Sequence, residues 1–391
     1  MTAPTGSARL VGVDVARCLA LLGMMATHLL LETDLDGSIS AAQWLAGGRA
    51  SALFAVLAGV SIALMTGGRE PARGRERRAR AAGLVVRAGL IAFLGLVLGE
   101  AGSGLAVILT YYGLLFVLAL PFLALRAPAL LSLGAVWVVV GPLLNTVVRD
   151  HLPFRGAESP RFDQLTDPGR LLGELLFTGY YPVLPWLAYL LVGMGLGRLD
   201  LRVRRVQATI AVAGAILAVV ATQLSHWLTA QPRVQAALLG GPGDIDLLLA
   251  EIQLGMFGTT PKGGSWAWML VVAPHSSTPF DLAQTIGSAA LVIGTCLLLV
   301  GLVSSWEVGL RFVQVFFGAG AMTLSLYTLH VFMRTPEIPP AEEPDAYLWH
   351  VLVVLGTGAV FAAGRHKGPL EWVVAQVSGS VTRRVRSRAA S

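Results

Sequence analysis

Ten runs of apolar residues, each near the length of a membrane crossing, succeed one another along the chain. They fall near 10–31, 49–67, 84–100, 104–125, 129–148, 181–198, 206–228, 281–303, 311–333 and 346–364. A helix needs about 20 residues to cross a hydrocarbon core about 30 Å thick. Only a helix or a closed barrel satisfies its backbone there without water. The pattern predicts an all-α, polytopic membrane protein with about ten transmembrane helices. Two connections are long, 149–180 and 229–280. The first predicts a short helix, with Asp167 as N-cap and Pro168 at the first helical position. The second holds IDLLLAEIQLGMF, apolar enough to lie along the membrane surface or to pack on the bundle.

Composition agrees with a membrane protein. Of 391 residues, 55% are hydrophobic and 13% charged, with a mean hydropathy of +0.69, against about 25% charged in soluble domains. The net charge of +6 does not describe a nucleic-acid surface, because the basic residues sit beside apolar spans. Arg69, Arg73, Arg75, Arg77, Arg78 and Arg80 crowd one connection, and Arg198, Arg202, Arg204 and Arg205 another. Arg365, Lys367, Arg383, Arg384, Arg386 and Arg388 follow the last span. Alternate connections are acidic: Glu32, Asp34 and Asp36 in the first, Glu337, Glu342, Glu343 and Asp345 in the last. With ten spans every strongly basic loop falls on one side, which the positive-inside rule makes cytoplasmic. Both termini then face the cytoplasm. The expected organisation is a cytoplasmic N-terminus at 1–9 carrying Arg9, a transmembrane domain at 10–366, and a basic cytoplasmic tail at 367–391. The first span is read as uncleaved, and the tail as a disordered end touching anionic lipid. There are 27 arginines, two lysines and one asparagine, an imbalance that fits GC-rich codon usage. Cys18 and Cys296 lie inside apolar runs and without metal-ligand spacing, so neither a disulfide nor a metal is expected.

Candidate chemistry begins in the first span, GVDVARCLALLGMMATHLL. Arg17 and His28 are eleven positions apart, three turns plus roughly 20°, which places both on one helix face about 16 Å apart. An ionisable residue within a span is costly and usually faces a protein cavity. A histidine is the side chain best suited to proton transfer near neutral pH. Asp14 lies three residues before Arg17 and can pair with it. An ion pair that fixes helix placement, and an interfacial histidine bonded to a loop, are the competing readings. His275, in APHSSTPFD, has Asp281 six residues on and suits acceptor binding or loop capping. His330 can orient a neighbour or sit satisfied in the bundle. Tyr180, Tyr181 and Trp186 can stack on a sugar or anchor the interface. The 69–80 arginine run sets topology or attracts a polyanion. His151, His226, His350 and His366 stand in no pattern that points to chemistry.

LVGVDVARCLALLGMMATH resembles the first-helix signature of membrane acyltransferases of the acyltransferase-3 type, with Asp14, Arg17 and His28 in matching order and spacing. GRASALFAVLAGVSIAL is similar to the FFVLSGF-like helix that follows in such families. FGAGAMTLSLYTLHVF resembles their SYSLYLWH-like segment through Ser325, Tyr327 and His330. Over roughly 8–372, YYPVLPWLAYLLVG, PHSSTPFDLAQTIGS and GPLEW resemble bacterial proteins grouped with the heparan-alpha-glucosaminide N-acetyltransferase catalytic domain and the YeiB-like family. Three departures stand out. The former place their essential histidine after the first span, where 32–48 has none; YeiB-like proteins often have Asn at the position of His28; and Cys18 replaces a usual Gly.

The resemblance implies a multi-pass protein of the bacterial cytoplasmic membrane that moves an acyl group, usually acetyl from acetyl-CoA, to an extracytoplasmic sugar or glycan amine or hydroxyl. His28 would be the general base, with Asp14 and Arg17 in the catalytic helix. Arg17 would hold the carrier, and Arg49, Ser51 or Tyr327 would donate to the oxyanion. The expected partners are acyl donor, carbohydrate acceptor and lipid bilayer; related membrane enzymes also form homodimers. The rival reading is a transporter or flippase of a small polar or lipid-linked solute, although no internal repeat supports it.

Overall fold

The computed structural model describes residues 10–153, 159–338 and 346–388. The N-terminal segment with Arg9, and Glu342, Glu343 and Asp345, lie outside these described residues. The chain is helical throughout, with a single β-bridge between Thr33 and Ile39 among the described residues.

Helix α1 (Val11–Leu29) leads through α2 (Ala41–Ala46) into α3 (Arg49–Met65), α4 (Gly74–Gly99) and the short α5 (Leu109–Leu118). Helix α6 (Ala127–Arg149) rises to the loop that carries α7 (Pro168–Gly173), which Asp167 caps by accepting from the Arg170 N–H at 3.1 Å. Helices α8 (Val183–Gly197) and α9 (Arg204–Thr229) precede a second elaborated loop with α10 (Pro232–Leu239) and α11 (Ile245–Leu254). Next come α12 (Pro279–Val303), α13 (Glu307–Phe316), α14 (Thr323–Met333), α15 (Ala346–Ala363) and α16 (Pro369–Arg388).

Seven helices among the described residues are long and apolar enough to cross a membrane: α1, α2 with α3, α4, α6, α9, α12 and α15. The segment 168–178 and α8, bent by 59° across a short break, pass that test together as an eighth. The other expected spans differ from the reading of the sequence. The run at 104–125 gives the ten-residue α5 and a 3-10 turn around Pro121. The run at 311–333 breaks at the 3-10 turn Gly318–Ala321, which separates α13 from α14. Proline and clustered glycine interrupt helical hydrogen bonding without lowering hydropathy, so an apolar run conceals the break.

The basic segments meet at one end of the bundle. Arg69 pairs with Asp200 at 2.8 Å, Arg386 with Glu76 at 2.6 Å, and Arg75 donates to the Arg386 carbonyl at 2.7 Å. Arg198 is buried among these connections, donating to the carbonyls of Ala63, Gly68 and Leu123 and to the Thr66 hydroxyl. The elaborated loops occupy the opposite end.

The tail departs from the expected disorder. Helix α16 packs along α4, burying Val374 and Ser378, where Gly83 leaves room for Thr382. Its Glu371 accepts from the N–H groups of Leu324 and Ser325 and from the Ser325 hydroxyl, at 2.7, 3.2 and 2.5 Å. A carboxylate at the positive end of α14 stabilises that helix.

Between α3 and α8, backbones approach until there is no space for a side chain. A Cβ at Gly193 would collide with the Val56 backbone, and one at Gly59 with Leu190 and Met194. Small residues permit such approach in membranes, where helix association depends on packing. Gly193→Ala is expected to lower the thermal-unfolding midpoint in detergent, at an overpacking cost of about 1–3 kcal/mol. Gly89→Ala, exposed and with nothing near its Cβ, leaves the midpoint unchanged or raises it.

Candidate functional site

Helix α1 links the two ends of the bundle. Near the basic end, Arg17 bonds Asp14 at 2.9 Å and donates to the Ser61 hydroxyl of α3 at 2.6 Å. The helix period puts Leu21, Met24 and His28 on the Arg17 face. His28 falls in the last turn, at the end carrying the elaborated loops.

Three imidazoles from three helices form a chain there. His28 Nδ1 lies 3.0 Å from Nε2 of His330 on α14, and His330 Nδ1 lies 2.8 Å from Nδ1 of His350 on α15. The His28 and His330 planes are within 5° of each other, with centroids 5.3 Å apart. Face-stacked rings stand at least about 3.5 Å apart, so a 3.0 Å N···N approach means that the two rings are joined edge to edge. His350 meets His330 nearly at right angles, 78°. His330 and His350 are fully buried, and His350 Nε2 makes no hydrogen bond among the described residues. The nitrogens bond pairwise and do not converge on one point, so this is no metal-ligand arrangement.

His28 opens into a cavity of about 440 Å³. Its wall includes Glu32, Gly47, Gly48, Ser103, Arg161, Tyr180, Tyr181, His275 and Arg334. His275 stands against Tyr180 and Tyr181, with centroids 4.9 and 5.7 Å away. Its backbone is left-handed, φ 58°, as is that of Ser277 at 54°. Non-glycine residues held there cost energy and cluster at functional sites.

Below this cavity a narrower one, about 130 Å³, lies between α1, α3, α4, α5 and α14. Met24, Phe54, Ala58, Ile91, Ile108 and Leu324 make it largely apolar, with hydroxyls from Ser51, Tyr112, Thr323 and Tyr327. A third cavity, about 350 Å³, opens at the basic end between α3, α4 and α16, and Arg80, Arg87 and Arg386 line it. Leu84, Arg87 and Ile91 share one face of α4, so the three cavities follow one another along that helix. A separate basic cavity of about 700 Å³ lies between α1, α13 and α15, lined by Asp14, Glu307, Arg311, Arg365, His366 and Lys367.

The structure therefore gathers His28, His275, Tyr180 and Tyr181 around one cavity, with His330 buried behind His28, and disperses the other candidates. Arg49 donates to the Trp44 carbonyl and does not line the His28 cavity. Ser51, whose hydroxyl donates to the Gly48 carbonyl at 2.9 Å, and Tyr327, whose oxygen accepts from the Ile108 N–H at 3.4 Å, face the narrow cavity. Asp281 accepts from the Ser277 N–H at 2.9 Å and caps its loop without bonding His275. Trp186 is buried behind Tyr181, with centroids 5.1 Å apart. His350, Arg334 and Arg161 are additions. Their sequence surroundings are ordinary for helix ends and loops, and only tertiary packing brings them to His28.

Burial pushes the His275 imidazole down to about 4. Between its ordinary value and about 4, the unfolded chain binds a proton that the folded chain excludes. The stability contribution is complete above the ordinary histidine value and is lost as pH falls toward about 4. His275→Gln is accordingly expected to show a smaller drop in thermal midpoint than wild type on going from about pH 7 to about pH 5. An equal drop in both proteins would show that His275 is protonated within the fold.

The family model for heparan-alpha-glucosaminide N-acetyltransferase, catalytic, matches residues 9–232. The match includes Asp14, Arg17, His28 and the aromatic pair Tyr180–Tyr181, and stops short of His275, His330, Arg334 and His350. No curated protein sequence matches the chain.

Proposed function

The chain belongs to the heparan-alpha-glucosaminide N-acetyltransferase catalytic family, and from that premise we propose that it transfers an acetyl group from acetyl-CoA on the cytoplasmic side to a sugar or glycan on the other. The observation that carries this reading is His28, tied at Nδ1 to His330 and lining a roomy polar cavity at the end opposite the arginines. The positive-inside rule makes the arginine end cytoplasmic. On this reading the chain crosses the bacterial cytoplasmic membrane ten times, with α5, α8 and α14 completing the count and both termini inside.

The residues suit both substrates. Arg80, Arg87 and Arg386 offer guanidinium groups to the phosphates of a nucleotide carrier. The narrow cavity lies against Met24, one turn before His28 on the Arg17 face of α1. This waist is apolar with isolated hydroxyls, and suits a thin acyl-bearing arm better than a free polar solute. At the outer end Tyr180 and Tyr181 present aromatic faces to a sugar ring.

With Nδ1 engaged, His28 Nε2 is the nitrogen left for the acceptor. It removes the proton from an acceptor hydroxyl or amine as that atom attacks the thioester carbonyl. The tetrahedral oxyanion needs a donor, and Arg334, on the same cavity wall as His28, is better placed for it than Arg49, Ser51 or Tyr327. Collapse breaks the carbon–sulfur bond, and His28 returns the proton to the departing sulfur. Asp14 and Arg17 form an ion pair at the other end of α1 and act on the carrier side, outside proton transfer.

Purified protein should release thiol from acetyl-CoA in the presence of amino sugars or glycans. His28→Ala should lower kcat by about 10²–10⁴, the range of a general base, with the thermal midpoint maintained. Arg17→Ala should mainly raise KM for the donor. A folded His28→Ala protein with the full rate would refute the base assignment. Solute uptake into vesicles without dependence on acetyl-CoA would favour the transporter reading.

A further inference from the structure

We propose that His28, His330 and His350 form one dead-ended proton store, in which His330 and His350 are positioning residues that take up the acceptor's proton through His28 and hand it back for the leaving thiol. The proposal rests on the acyltransferase reading and extends it to two histidines outside the matched region.

Each neutral imidazole carries one N–H and one lone pair, so the chain has two consistent proton orders. In the first, His28 Nδ1–H donates to His330 Nε2, and His330 Nδ1–H donates to His350 Nδ1. His28 Nε2 then presents a lone pair to the cavity. The second order reverses both bonds and leaves His28 Nε2 protonated. Passing fully from the first to the second requires His350 Nε2 to lose its proton. That nitrogen is buried and has no hydrogen-bond partner among the described residues, so the wire has no exit through them.

A closed wire fits acyl transfer, which takes one proton and returns one. As the acceptor oxygen or nitrogen bonds to the carbonyl carbon, its proton passes to His28 Nε2. The Nδ1 proton of His28 moves to His330 Nε2, and the Nδ1 proton of His330 moves to His350 Nδ1. The positive charge then rests on His350, which carries protons on both ring nitrogens, while His28 and His330 are again neutral. When the carbon–sulfur bond breaks, the same hops run backwards and the sulfur receives the proton from His28 Nε2. Nothing is oxidised or reduced, and no proton is gained or lost.

The groups facing this chain come from several elements. Arg334 at the end of α14 acts electrostatically on all three rings. His275 acts on His28 from the loop before α12, and Glu32, Arg161 and Tyr181 share the cavity wall. On α15, Tyr347 precedes His350 by one turn and donates to the Leu22 carbonyl at 3.5 Å.

His350→Gln separates a store from a scaffold. Its amide oxygen accepts the bond from His330 Nδ1–H but cannot hold the extra proton. The expected result is a kcat about tenfold lower with KM for both substrates within about twofold, and an acidic limb of the kcat/KM profile that changes shape. His330→Gln should cost at least as much. Nitrogen-15 NMR of histidine-labelled protein supplies a readout without turnover: His28 should titrate differently once His350 is Gln. Wild-type kcat and pH profile in His350→Gln, a uniform loss of rate at every pH, or an unchanged His28 titration would each overturn the store. Wild-type protein that turns over no acetyl-CoA would fail the acyltransferase reading itself, and the NMR coupling would then decide the store alone.

Discussion

The seam where α1 and α15 close on the broken helix between α13 and α14 holds the site together. Gly320 sits against the backbone of Asp14 and Cys18, and Gly318 against Gly358, with no space for a Cβ at either. The Gly318–Ala321 turn is thus a common footing for three helices. From it, ten residues of α1, about 15 Å, separate Cys18 from His28, and eight residues of α15, about 12 Å, separate Gly358 from His350. Helix α14 starts at the turn and carries His330 to a similar height, held at its N-terminus by Glu371 of α16. Three rings then meet within hydrogen-bond distance because three backbones begin from one contact. An unbroken helix at 311–333 would lack this footing.

That seam also marks the limit of what the sequence disclosed. Helix content, the positions of the long spans, the convergence of the arginine segments and the Asp14–Arg17 pair were legible, because each depends on local periodicity or on charge near an apolar run. That Arg17 and His28 lie toward opposite ends of α1 followed from the same signals. His350 was not legible. It is one polar residue at the start of an apolar run, where interfacial histidines are ordinary, and its partner His330 is twenty residues earlier on another helix. The breaks at Pro121 and Gly318–Gly320 were concealed because hydropathy averages over them. The tail misled for the opposite reason: its arginines dominate the composition, while the apolar stripe that docks on α4 is only a few residues wide. Asp281 looked like a partner for His275 from spacing alone, but a carboxylate in the first turn of a helix is first claimed by the N–H groups of its own loop.

Buried polar groups in this bundle fall into two kinds, and the difference separates scaffold from site. Arg198 at the basic end and Arg149 at the outer end are both buried cations whose nitrogens donate to backbone carbonyls and threonine hydroxyls. Carbonyl oxygens do not take up or release a proton here, so these bonds fix the connections in place. The histidine chain is of the other kind. Among the described residues each hydrogen-bond partner of its rings is another titratable ring, so the bonds can reverse direction without moving a heavy atom. A polar network in a low-dielectric interior is costly unless satisfied, and this one ends at a nitrogen without a partner among the described residues. Stability alone would be served better by an apolar side chain at position 350, packed against α14. On the proposed chemistry the imidazole at position 350 serves proton movement at His28, the one member of the chain that opens to the cavity.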